Sequence, residues 1–122
     1  MKIVCVDDEI LILRLTVSMC ERLPQEPEVA GFDNVEDALS YFEDNTVDIV
    51  ILDMNMPELD GFAMAARIRK IRPDTPILFT SGYADYSDEV IHKYAADCLL
   101  KPLSIDRLAG AVNQILSRQN NN

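Results

Sequence analysis

Between Val47 and Gly61 the chain reads VDIVILDMNMPELDG, a short apolar run that stops at a carboxylate. Ile49 to Leu52 are unbroken β-branched residues or Leu, and the run is too short for a buried helix. Such a run fits a parallel strand covered on both faces. Pro57 cannot donate to a ladder and closes the strand, and Glu58-Leu59-Asp60-Gly61 turns the chain into a helical pattern. Asp53 is left at the carboxyl end of the run, where open parallel sheets hold ligands and chemistry. Asp also begins turns for purely local reasons, and this stretch alone leaves both roles open.

Four more apolar runs occur. Lys2–Val6 ends in Asp7-Asp8-Glu9, and Val29–Phe32 follows the loop between Pro24 and Pro27. Ile77–Phe79 ends in Thr80-Ser81-Gly82, and Cys98–Leu100 ends in Lys101-Pro102. Helical spacing predicts helices over Ile10–Arg22, Val35–Phe42, Phe62–Arg72, about Tyr86–Tyr94 and Ile105 to about Arg118. Asn34 and Ser104 stand where N-caps are needed. Arg67, Arg69, Lys70 and Arg72 gather at the end of the third helix, as the macrodipole favours.

This alternation, without linker or repeat, predicts an α/β fold: a doubly wound, five-stranded parallel sheet with five helices on its two faces. Residues 1–118 are expected to form one domain and 119–122 a disordered polar tail. In the flavodoxin-like strand order 2-1-3-4-5, the topological switch lies between strands one and three. Asp7, Asp8 and Asp53 would then share one crevice.

Eleven basic against twenty-one acidic residues, a net charge of −10, argue against direct nucleic-acid binding. No apolar run approaches the length of a membrane span, and a signal-peptide core is absent, so a cytoplasmic location away from membranes is expected. Cys5, Cys20 and Cys98 lack C-x-x-C or Cys/His ligand spacing and are read as reduced core thiols.

Three carboxylates at hydrogen-bond range need a compensating cation. Mg²⁺ suits oxygen ligands and combines one or two carboxylates with phosphate oxygens. Lys101 adds a point charge, and Thr80 or Ser81 a hydroxyl. A carboxylate nucleophile in that company is equipped for phosphoryl transfer. Charged groups also cap strand ends for structural reasons, but five converging on one edge favour chemistry.

These residues resemble the receiver domain of two-component response regulators, over about Lys2 to Leu116. The resemblance rests on Asp7-Asp8, on Asp53 followed by Met54-Asn55-Met56-Pro57 and Asp60-Gly61, on Thr80-Ser81-Gly82, and on Lys101-Pro102. It implies that Asp53 accepts a phosphoryl group from a kinase phosphohistidine. It implies Mg²⁺ held by Asp8, Asp53 and the main-chain carbonyl of Asn55, with Asp7 acting largely through water. Thr80 and Lys101 would hold the phosphoryl oxygens, and the Lys101–Pro102 bond would be cis. A conformational switch through Thr80 would then control an output domain or partner outside this chain, transcription regulation among the outputs. A homodimer face would be formed by the fourth and fifth helices and the fifth strand.

The family often carries an aromatic switch residue three positions before the lysine, where this chain has Cys98. Tyr83, Tyr86 and Tyr94 lie nearby in sequence, most simply as surface or core aromatics. Gly82 would leave the site open to an attacking water. Ile12, Leu15 and Met19, with Leu23, form one apolar stripe on the first helix; Ile10, Leu13 and Val17 form a second, suited equally to docking a kinase or phosphotransfer helix and to packing on the last helix. His92 is expected to be structural.

Two other functions use part of the same pattern. A dehalogenase-like phosphatase needs a second Asp two residues after the nucleophile, where this chain has Asn55, and its nucleophile ends the first strand. A flavodoxin-like flavin module needs a phosphate-cradling loop after the first strand, where Asp7-Asp8-Glu9 would repel the phosphate.

Overall fold

Each apolar run forms a strand: β1 (Lys2–Val6), β2 (Glu28–Phe32), β3 (Ile49–Asp53), β4 (Ile77–Ser81) and β5 (Asp97–Leu100). Between and after them run α1 (Ile10–Glu21), α2 (Val35–Asp44), α3 (Gly61–Ile71), α4 (Asp88–Tyr94) and α5 (Ile105–Asn120). The computed structural model describes residues 1–57, 60–82 and 87–120, without the side chains of Asp88 and Asn120. The strands pair in parallel in the order β2-β1-β3-β4-β5, which is the doubly wound, flavodoxin-like arrangement.

Alternate residues of the central strands feed two cores, because successive side chains of a strand point to opposite faces. Val4, Val50, Leu52 and Phe79 pack with Phe42 of α2, Met64 and Ile68 of α3 and Ile91 of α4. Ile3, Ile51, Leu78 and Leu99 pack with Leu13 and Cys20 of α1 and with Leu108, Val112 and Ile115 of α5. Every residue of β3 and β4 is buried, which is why Ile49–Leu52 and Ile77–Phe79 are continuously apolar.

The caps form as the sequence suggests. The Asn34 side chain accepts the Asp37 N–H at 2.9 Å, and the Ser104 hydroxyl accepts that of Arg107 at 3.3 Å. Asp60 caps α3 by accepting the Ala63 N–H at 2.9 Å. Gly61 is required by close approach: a Cβ there would lie 2.7 Å from Cα of Met54. Cys5 and Cys20 are buried free thiols with sulfurs 3.9 Å apart, while Cys98 is half-buried. The Lys101–Pro102 bond is cis.

Two expectations need correction. The first concerns the docking stripe on α1. Leu13 is only 5% exposed and Val17 is half-buried. Both lie against Gly31 of β2, whose added Cβ would meet Val17 Cγ2 at 2.9 Å and Leu13 Cδ1 at 3.3 Å. Leu13 is wholly given to covering the sheet and Val17 in part. Of that stripe only Ile10 is exposed, and the outward face of α1 is completed by Leu11 and Leu15. The second concerns the tail. α5 continues two residues past Arg118, through Gln119 and Asn120, while Asn121 and Asn122 lie outside the described residues.

Candidate functional site

The site is assembled by strand register. Val6 and Leu52 are opposed on β1 and β3, so the residues that follow, Asp7 and Asp53, leave the sheet side by side. Asp53 opposes Thr80 of β4. Lys101 immediately follows β5, and its N–H donates to the Ser81 carbonyl at 2.8 Å.

The side chains converge. Lys101 Nζ lies 3.1 Å from Asp7 Oδ2 and 3.2 Å from Asp53 Oδ1. One carboxylate oxygen from each of Asp7, Asp8 and Asp53 lies within 4.8 Å of the others. Asp53, Asp7 and Thr80 are buried, whereas Asp8 and Asn55 are exposed at the mouth. Backbone N–H groups hold two of the acids: Glu9 donates to Asp7 Oδ1 at 2.9 Å, and Asn55 to Asp53 Oδ1 at 3.1 Å. Ser81 Oγ lies 3.2 Å from Asn55 Oδ1.

The electrostatics follow from this crowding. Burial pushes the Asp7 carboxyl above its ordinary range and Asp53 adds to it, against the Glu9 N–H and Lys101, which hold it down. Partial desolvation and the charge of Asp53 raise Asp8 as well. Burial would lower Lys101, but Asp53 and Asp7 outweigh it and the ammonium is held above its usual value. Three carboxylates against one lysine leave a formal charge of −2 among oxygen donors. That donor set fits a hard divalent cation such as Mg²⁺, with one side of the cluster already taken by the lysine.

The structure thus brings together Asp7, Asp8, Asp53, Asn55, Thr80 and Lys101. Cys98 is half-buried on β5. It opposes Phe79 of β4, and its sulfur contacts that of Met54 at 3.9 Å. Phe62 of α3 packs edge-on against Phe79 with centroids 5.6 Å apart, and against Tyr94 of α4 at 5.0 Å. Tyr94 is therefore a packed aromatic, while Tyr83 and Tyr86 lie outside the described residues. Gly82 is exposed, with nothing within 4 Å of an added Cβ, and His92 is exposed on α4.

One feature beside the site escaped the sequence. An apolar groove lined by Ile12, Leu15, Thr16, Met19, Pro102 and Leu103 reaches Lys101. Ile12, Leu15 and Met19 are visible as a helical stripe, but α1 has two stripes, and only packing shows which one stays open.

Known proteins place this arrangement. The family model described as response regulator receiver domain matches residues 3–113. An uncharacterized response regulatory protein of Vibrio cholerae is 35% identical over 92% of the chain and 43% of its own length. The transcriptional regulatory protein YpdB of Escherichia coli is 30% identical over 94% of the chain and 47% of its own length. The chain therefore spans less than half of either relative. Among solved structures, the response regulator protein TrrA of Thermotoga maritima, in complex with Mg²⁺-BeF, superposes with a TM-score of 0.82. It is 30% identical, over 93% of this chain and 97% of its own. With its site at the switch point and a family match over nearly its whole length, the chain belongs to the receiver domains of two-component response regulators.

Proposed function

We propose that Asp53 is the phosphoacceptor, taking its phosphoryl group from the phosphohistidine of a histidine kinase or phosphotransfer protein. The observation that carries this is the placement of a buried carboxylate at the end of β3 with an ammonium at 3.2 Å and two further acids beside it. An Asp53 oxygen attacks phosphorus in line as the phosphorus–nitrogen bond of the donor breaks. The electron pair returns to the imidazole, and the product is an acyl phosphate on Asp53. Lys101 and the Thr80 hydroxyl face the phosphoryl oxygens. Asp8, Asp53 and the Asn55 carbonyl would hold Mg²⁺, with Asp7 acting largely through water, and the bound ion would offset charge on those oxygens. Thr80 moving toward the new phosphoryl group, with Cys98 rather than a ring beyond it, is the switch that reaches the output.

The chemistry stops at gain and loss of the domain's own phosphoryl group, so small phosphate esters are not turned over. The partner helix docks on Ile10, Leu11 and Leu15 beside the groove at Pro102 and Leu103; Leu15→Arg is expected to slow transfer from the kinase but not uptake from a small donor. The signal passes to an output domain or partner beyond this chain, transcription control being one such output. Copies pair through α4, β5 and α5, where Val90 and Leu100 are exposed, and sedimentation of the phosphorylated protein tests this. The chain works in the cytoplasm without binding nucleic acid itself, as its charge of −10 and the absence, among the described residues, of a helix long and apolar enough to cross a membrane both support.

The test is incubation with phosphoramidate and Mg²⁺ followed by intact mass. Wild type is expected to gain one phosphate and Asp53→Asn none. Uptake by the variant, or none by wild type, would sink the assignment.

A further inference from the structure

Two buried thiols take no part in the phosphoryl chemistry. Cys5 lies on β1 and Cys20 in the last turn of α1, 1% and 0% exposed, and their sulfurs face each other at 3.9 Å. Both belong to the core between the sheet and α1, with Ile3, Leu13 and Leu23. As core filler, a thiol behaves like other small apolar side chains. What only a facing pair of thiols can do is give up two hydrogens and join.

A sulfur–sulfur bond is about 2 Å long, so the pair must close by about 2 Å. Side-chain rotation and a small shift of a helix end supply such a movement, and helix ends open more readily than the body of a fold. The third thiol, Cys98, packs against the core on the other face of the sheet, its sulfur against Met54. We propose that Cys5 and Cys20 are a reversible redox staple: a hydroperoxide oxidises them to a disulfide that pins α1 to β1, and a small dithiol opens it. One sulfur attacks the peroxide, a sulfur–oxygen bond forms as the oxygen–oxygen bond breaks, and the thiol proton leaves with the displaced oxygen as water. The second sulfur then attacks the first, the sulfur–oxygen bond breaks, and a second water carries off that oxygen with the remaining thiol proton. In the reverse direction the dithiol returns both hydrogens and itself closes to a disulfide. The ring so formed, residues 5 to 20, contains Asp7 and Asp8 of the rim and Ile12, Leu15 and Met19 of the open groove. None of this depends on Asp53 being the phosphoacceptor.

The test uses the full chain, reduced, treated with hydrogen peroxide while folded, alkylated and digested without reductant. Trypsin cuts after Lys2, Arg14 and Arg22, so the bond links peptide 3–14 to peptide 15–22. That linked pair is expected to dominate over any link to Cys98. The oxidised form is expected to melt about 5–10 °C above the reduced one, because the ring restricts the unfolded chain. A dithiol should separate the peptides and remove the gain. Cys20→Ala, given the same peroxide, carries any methionine oxidation but should gain nothing.

Unlinked Cys5 and Cys20 after treatment overturn the proposal, as do links to Cys98 of equal abundance. So does a product that the dithiol fails to open, or an oxidised form that melts no higher than the reduced one. Should Cys20→Ala fold poorly, the linked peptides and their reversal in wild type decide the question.

Discussion

At Asp53 and Asp7 the carboxyl rim of the sheet is as buried as its body, yet burial does opposite things in the two places. Along β3, Ile49 to Leu52 are 0–2% exposed and apolar, so taking them out of water stabilises the fold. One residue further, Asp53 is 1% exposed and charged, beside a second buried acid, Asp7, at 4%. Burying carboxylates works against folding unless partners repay it. Lys101 supplies one positive charge for three acids. The body is built for stability and the rim for a ligand that arrives later.

Substitutions can break that contrast. The largest expected effect is in the body: Leu78→Ala, at a fully buried position two residues before Thr80, should cost about 2–5 kcal/mol in denaturant unfolding. Phosphate uptake at Asp53 should persist wherever the variant remains folded; lost uptake in folded protein would mean that body and rim are not separable. Next is Gly82→Tyr, which fills open space beside the site and should slow loss of phosphate roughly several-fold, on the order of 1 kcal/mol in the barrier. Equal lifetimes for variant and wild type would show that water does not enter there.

The smallest effect sharpens the contrast by its sign. Asp7 and Asp8 have carboxyls raised above the ordinary value of 3.8 in the folded protein, so folding favours their protonated forms. Their contribution to stability is complete below that value and is lost as pH rises through the raised values, the reverse of a salt-bridged acid. Lys101 runs with the usual sign for a lysine: its contribution is present below 10.5 and lost as pH rises through its raised value. Metal-free Asp8→Asn should therefore melt higher than wild type near neutral pH, on the order of 1–3 °C because Asp8 is exposed and screened. The gain should vanish in acid, and Mg²⁺ should stabilise wild type more than the variant. A lower melting temperature for the metal-free variant would contradict the account of the rim.

Which parts could be read without coordinates depends on how local the cause is. β3 was visible because a strand covered on both faces must be apolar at every position. Asp53 was visible because the run that precedes it stops there. The cap at Asn34 needs only residues three apart, and it forms as expected. The role of Gly61 was hidden, since it follows from the approach of Met54, seven residues back, to 2.7 Å from where a Cβ would stand. The Ser81–Asn55 contact joins positions 26 apart and has no local signature.

The first helix marks the boundary between the two kinds of information. Its periodicity offers two apolar stripes, and hydrophobicity alone ranks neither. Gly31 on the edge strand leaves room for Leu13 and Val17, so that stripe is consumed by the sheet and Leu15 is left 56% exposed. The order of residues along the chain determined the alternation of elements, the strand order's switch point and the chemical identities gathered there, because those follow from local pattern and connectivity. Tertiary packing alone decided which face of α1 stays open and that Ser81 meets Asn55, because such contacts depend on distances between segments that no neighbouring residue encodes.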